Sequence, residues 1–119
     1  MNVQSYQAAN FVGGHPPVMR KQVLASTGVD VDLVAGTVLG VVTLSGKAVP
    51  LAPAADDGSQ SAAFILVEDV TVPAQGDAVV NVYVHGEFRR AGLAWPDGIT
   101  QDQQDTAAKE LAARGLYVK

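Results

Sequence analysis

The sequence predicts a mainly β fold of α+β type. It should have a compact β-sandwich or barrel-like core, one short C-terminal helix and an extended N-terminal arm. Three observations carry this reading. Short apolar, β-branched runs recur between Gly and Pro turns from residue 18 to residue 90. Only the segment from Thr100 to Gly115 combines helical spacing with start and stop signals. The first 17 residues show neither period and close on Gly13-Gly14-His15-Pro16-Pro17, where flexible residues adjoin stiff ones.

Residues 1–17 read as an arm and residues 18–119 as one β-rich domain. The arm is not purely hydrophilic, because Val3, Tyr6, Phe11 and Val12 are dispersed through it. A plain linker has little use for Tyr and Phe. The segment therefore either frays as termini do or orders on a partner.

In the body, Val23-Leu24 and Val29 to Val34 are short apolar runs. Thr37 to Leu44 reads as a strand, Ser45-Gly46 as a turn, and Lys47 to Leu51 as the return strand ended by proline. Ala52 to Ser59 is a loop. Ala62 to Val67 and Ala78 to Val84 are the strongest strand predictions. In the second, Val80, Val82 and Val84 alternate with Val79, Asn81 and Tyr83, so one face should be the more buried. Gly76-Asp77 and Gly86 are read as its ends.

Thr100 and Gln103 have capping-box spacing, and Asp102 and Asp105 favour the positive end of a helix dipole. Ala107, Ala108, Leu111 and Ala112 form a narrow stripe that packs closely but buries little area. Gly115 supplies the left-handed cap after Arg114. Leu116 to Val118 then reads as a terminal strand.

Composition narrows the function. The 119 residues are one domain's worth of chain. They are 48% hydrophobic but only 6% aromatic, so the core must rest on Val, Leu, Ile and Ala. Charged residues are 17% against roughly 25% in an average soluble protein, and the net charge is −4. This balance argues against disorder, against nucleic acid as a partner and against a basic membrane-surface protein. Without Cys there is no disulfide, thiolate zinc site or cysteine nucleophile. The N-terminus lacks a basic segment leading into a long apolar run, so no signal peptide is expected. No stretch approaches the roughly 20 apolar residues of a membrane span.

Catalytic constellations are sparse. His15 lies in the Gly/Pro arm, a poor place to hold a base in fixed geometry, and His85 reads as an ordinary strand end. Asp30 and Asp32 would share one side of an extended chain, with no base or phosphate loop near them in sequence. Asp56-Asp57-Gly58 resembles a fragment of a calcium loop but lacks the rest of the spacing and its terminal Glu. Gly40 to Lys47 fails as a P-loop, since five residues separate the glycines and Ala48 follows the lysine. Arg89-Arg90 is too small a basic patch for nucleic acid. Trp95-Pro96-Asp97-Gly98 reads as a turn with a large anchor, Trp95 serving core or interface packing. The residues favour a non-enzymatic module with no cofactor, no metal and no small-molecule substrate. An enzyme or ligand-binding barrel would require His85, Asp30 and Asp32 to surround one pocket.

The order of motifs is more specific than any one of them. Gly36-Thr37-Val38-Leu39-Gly40 is followed by Gly46-Lys47 and Val49-Pro50-Leu51. Then come Asp57-Gly58-Ser59-Gln60 with Ala62, Ile65-Leu66 and Glu68-Asp69-Val70. Val82 to Gly86, Leu93 with Trp95 to Ile99, and Leu111 to Val118 complete the series. This series resembles the lambda-type head decoration proteins of tailed bacteriophages over about residues 20–119. The resemblance implies a capsid-stabilising (cement) protein on the outer surface of the virion, made in the host cytoplasm. It implies a homotrimer at threefold and quasi-threefold sites of the expanded head, where it clamps the major capsid protein against internal DNA pressure. It also implies a flexible arm that orders on the capsid; here that is residues 1–17, with Val3, Tyr6, Phe11 and Val12 as anchors. Phe64 stands where members often carry Gly, which bears on local packing or a subunit contact. The other reading is a structural β module of a tail or baseplate.

Overall fold

Turn residues and alternation set the strands, and the strands close on themselves. The structure, a computed structural model, describes residues 17–119. β1 (Val18–Leu24) is followed by β2 (Val31–Leu33), β3 (Val38–Val41), β4 (Ala48–Pro50), β5 (Ala62–Leu66), β6 (Val70–Val72) and β7 (Ala78–Phe88). Helix α1 (Gln101–Ala113) and β8 (Leu116–Val118) complete the chain. The β1-β4-β3-β5-β7 order is closed by pairing of β7 with β1, giving a five-stranded barrel. Closure leaves these strands no free sheet edge of the kind that invites aggregation. β8 pairs in parallel with the last residues of β7, Gly86 to Phe88. β2 and β6 form a separate antiparallel ribbon.

Two cores lie on either side of the barrel wall. Leu24, Leu39, Ala48, Phe64, Leu66, Val80 and Val82 come from all five barrel strands and fill its interior. Val38, Ile65, Tyr83, Phe88, Leu111 and Leu116 fill the space between the wall and the α1–β8 layer. Neighbours Val38 and Leu39, like Ile65 and Leu66, go to opposite cores, as a period of two requires. β5 is therefore buried along its whole length. Each fully buried Leu contributes about 1.5–3 kcal/mol relative to exposure.

Helix α1 forms as its caps dictate. The Thr100 hydroxyl accepts the Gln103 N–H at 3.1 Å, and the Gln103 side chain accepts the Thr100 N–H at 3.0 Å. Ala107, Ala108 and Leu111 are its buried residues.

The mainly β fold with one C-terminal helix is as expected, with three local corrections. The strand expected over Thr37 to Leu44 stops at Val41. Val42 instead brackets a turn, accepting from the Gly46 N–H and donating to Lys47, and Leu44 is fully exposed at its tip. Gly86 does not end its strand: it lies inside β7 with φ +147°, where an added Cβ would stand 3.4 Å from the Pro17 Cα. The alternation in β7 also fails at Tyr83, which is buried while Val84 is half-buried. From Tyr83 onward the second core covers the other face of the strand, so both faces have a partner.

Candidate functional site

The described chain enters at Pro17 and passes straight into β1, which runs antiparallel to β7 from Val18 opposite His85 to Leu24 opposite Ala78. β1 is the least buried barrel strand, with Val18 51%, Met19 53% and Val23 37% exposed. Val23 faces Val79, itself 67% exposed. Helix α1 packs on β5 and β8, so its layer covers a different flank of the barrel. Met19, Val23 and Val79 thus leave apolar side chains exposed along this flank, with the Lys21–Asn81 pair between them.

Beside this entry, Phe64 closes the barrel interior. Its ring is 6% exposed and carries two guanidinium groups. Arg20 of β1 stands 4.9 Å from the ring centroid and Arg114, the C-cap of α1, stands 5.8 Å from it. Both distances fall in the range of attraction between a cation and an aromatic face. Arg20 also donates to the Gln22 side-chain oxygen at 3.3 Å. Among the described residues, neither arginine has a carboxylate partner. Sequence reading singled out neither of them for function. They lie 94 positions apart and no local motif links them; barrel closure places Arg20, and the packing of α1 on β5 and β8 places Arg114.

Trp95 packs against the outer core while its indole N–H donates to the Arg90 carbonyl at 3.1 Å. The Arg90 guanidinium is bound to Asp105 of α1 and holds that carboxyl below its usual range, helped by Gln101. Val3, Tyr6, Phe11 and Val12 lie outside the described residues.

The other polar candidates tie loops together. Asp30 accepts the Ala74 N–H at 2.8 Å and Asp32 accepts the Thr71 hydroxyl at 2.7 Å, so both brace the β2–β6 ribbon. They line two different open grooves, and His85 lines neither. His85 instead stands edge-on to Tyr117, ring centroids 6.0 Å apart. Asp57 accepts from the Ser59 hydroxyl and N–H, which hold its carboxyl below the usual range in a tight turn. Among the described residues, no three His, Asp or Glu side chains form a group able to hold a metal ion.

The fold defines a small closed β-barrel module. A family model, that of the bacteriophage lambda head decoration protein D, matches residues 3–116, and the chain belongs to that family. It is a structural protein of the phage virion that decorates and binds the capsid. No curated protein matches the chain. The matched stretch begins at residue 3, so it takes in most of residues 1–17 as well as the barrel.

Proposed function

We propose that the chain is the cement protein of an expanded phage head. It binds the outer surface of the capsid as a homotrimer at threefold and quasi-threefold sites and resists internal DNA pressure. The observation that carries this reading is the family match over residues 3–116, most of the arm included. In this reading residues 1–17 add a strand to the capsid sheet, with Val3, Tyr6, Phe11 and Val12 filling alternate pockets. Ordering such a segment costs roughly 1–2 kcal/mol per residue, so one arm alone binds weakly. Three arms on one trimer act together, and multivalency raises apparent affinity by about 10²–10⁴. The exposed apolar side chains of Met19, Val23 and Val79 support a contact between copies, because apolar surface of this kind marks interfaces. Phe64 is packed within the protomer, while Trp95 is half-buried and keeps part of its surface free for a subunit contact.

The test is recruitment to expanded capsids that lack the protein. Saturable binding is expected at threefold positions in a particle reconstruction, with about three chains per unit in light scattering. Deleting residues 1–17 should weaken recruitment at least tenfold. Failure of the full chain to bind heads, or its capture by tails instead, overturns the reading.

A further inference from the structure

Two guanidinium groups drawn to one aromatic ring concentrate positive charge there, and a guanidinium fork is suited to bidentate binding of a carboxylate. Here Arg20 and Arg114 both stand over Phe64, both are exposed, and no described carboxylate reaches them. Glu110, one turn before Arg114 on α1, is taken up by the Ala62 N–H at 3.0 Å, and Glu87 is paired with Lys119 at 3.5 Å. The arm cannot supply the missing charge, since residues 1–17 contain no Asp or Glu. The aromatic face beneath the pair restricts both planar forks at no cost in charge, which readies their N–H groups for a bidentate acceptor.

We infer that Arg20 and Arg114, seated on Phe64, form a carboxylate receptor, and that its occupant is an acidic side chain of the capsid subunit. The inference rests on the decoration reading above. Nearness to residues 1–17 points to the capsid as the partner. Arg20 is three residues beyond Pro17, about 10 Å along the strand, so a surface on which the arm lies passes close to the receptor. The chain's own ribbon carboxylates, Asp30 and Asp32, lie toward the opposite end of β1. There Ser26, just after β1, is bound to Pro73, Ala74 and Asp77. The arm would then supply sequence-tolerant backbone pairing, while the receptor fixes where along the capsid surface the barrel stops.

The experiment compares the full-length protein with R20Q, R114Q, the double variant and R20K/R114K. Each is titrated onto decoration-free expanded capsids across a salt series, with oligomeric state and thermal midpoint measured in parallel. The double variant should lose about tenfold or more in affinity at low salt and show a flatter salt dependence, since three receptors act together on one trimer. The lysine variant should keep the salt dependence and recover part of the affinity. Oligomeric state should not change. Capsid affinity and salt slope equal to wild type would overturn the inference. So would loss of the trimer with retained capsid binding, which would place the carboxylate on a neighbouring copy. Absence of binding by the unsubstituted protein would instead defeat the decoration reading itself, before any substitution is considered.

Discussion

The Glu110 carboxylate accepts the backbone N–H of Ala62 at 3.0 Å, joining the middle of α1 to the first residue of β5. The register of β3 against β5 shifts between Leu39 and Gly40, and Ala62 lies just past that irregularity. A side chain from another layer thus serves a buried N–H next to a break in the ladder. Glu110→Ala should cost about 1–3 kcal/mol, the penalty of an unsatisfied buried donor. Glu110→Gln keeps an acceptor and should recover most of it. Urea unfolding of the two variants checks the difference; equal losses would show that the charge, not the acceptor, matters.

Gly40 is a second tight point. A Cβ there would fall 2.8 Å from the Ser59 Cα and clash with its carbonyl, because the loop after β4 folds down against β3. Gly40→Ala should therefore destabilise by about 1–3 kcal/mol, the usual range for overpacking. Gly28→Ala, where no atom lies within 4 Å of the added Cβ, controls for composition, though its φ of +91° carries strain of its own. Thermal midpoints of both variants test this, and the larger drop belongs to Gly40.

Arg90 anchors the outer core's rim through three groups. Its guanidinium holds Asp105, its N–H donates to the Lys119 carbonyl at 2.9 Å, and its carbonyl takes the Trp95 indole N–H. Trp95→Phe keeps an aromatic anchor but deletes that donor. A loss of about 0.5–1.5 kcal/mol is expected in chemical denaturation. A loss far beyond that range would mean that ring volume, and not the hydrogen bond, dominates.

Acid should weaken the fold at identifiable carboxylates. The Lys47 ammonium, 2.6 Å from Asp77, and then the Ser26 N–H hold the Asp77 carboxyl below its usual range. The folded state thus prefers the ionised form. Its stabilisation is complete above the unfolded carboxylate pKa and is lost as pH falls through the lowered folded value. Asp77→Asn should be less stable than wild type near neutral pH, and the gap should close on acidification. A gap independent of pH would show that Asp77 acts through geometry alone.

Much of the fold was legible because local chemistry and tertiary packing agreed. The capping box at Thr100, the turn at Ser45-Gly46 and the apolar run of β5 each specify one conformation. What escaped was set by distant partners. β1 reads VMRKQVL, with no clean alternation, and is a strand because β7 lies beside it. Gly86 looks like a stop signal, yet β8 and the chain at Pro17 approach it closely and keep it in the sheet. Thr43 and Leu44 have strand propensity but must turn, because β4 returns directly alongside β3. In the candidate site the arginines are individually unremarkable in sequence; Phe64 stands out only because lambda-type decoration proteins often carry Gly there. Their meeting depends on barrel closure and on the packing of α1 against β5, neither of which a local pattern encodes.

The closing pair of strands also has a mechanical side. Tension applied at Pro17 along the axis of β1, away from Leu24, would load the ladder from Val18 to Leu24 in shear, with its bonds sharing the force together rather than opening one by one. At the same end of β7, β8 and the backbone bonds between Lys119 and both Phe88 and Arg90 stitch down the other terminus. The strand that divides the two cores is thus also the beam to which both ends of the body are fastened. Tension entering at Pro17 would thus pass first into that beam.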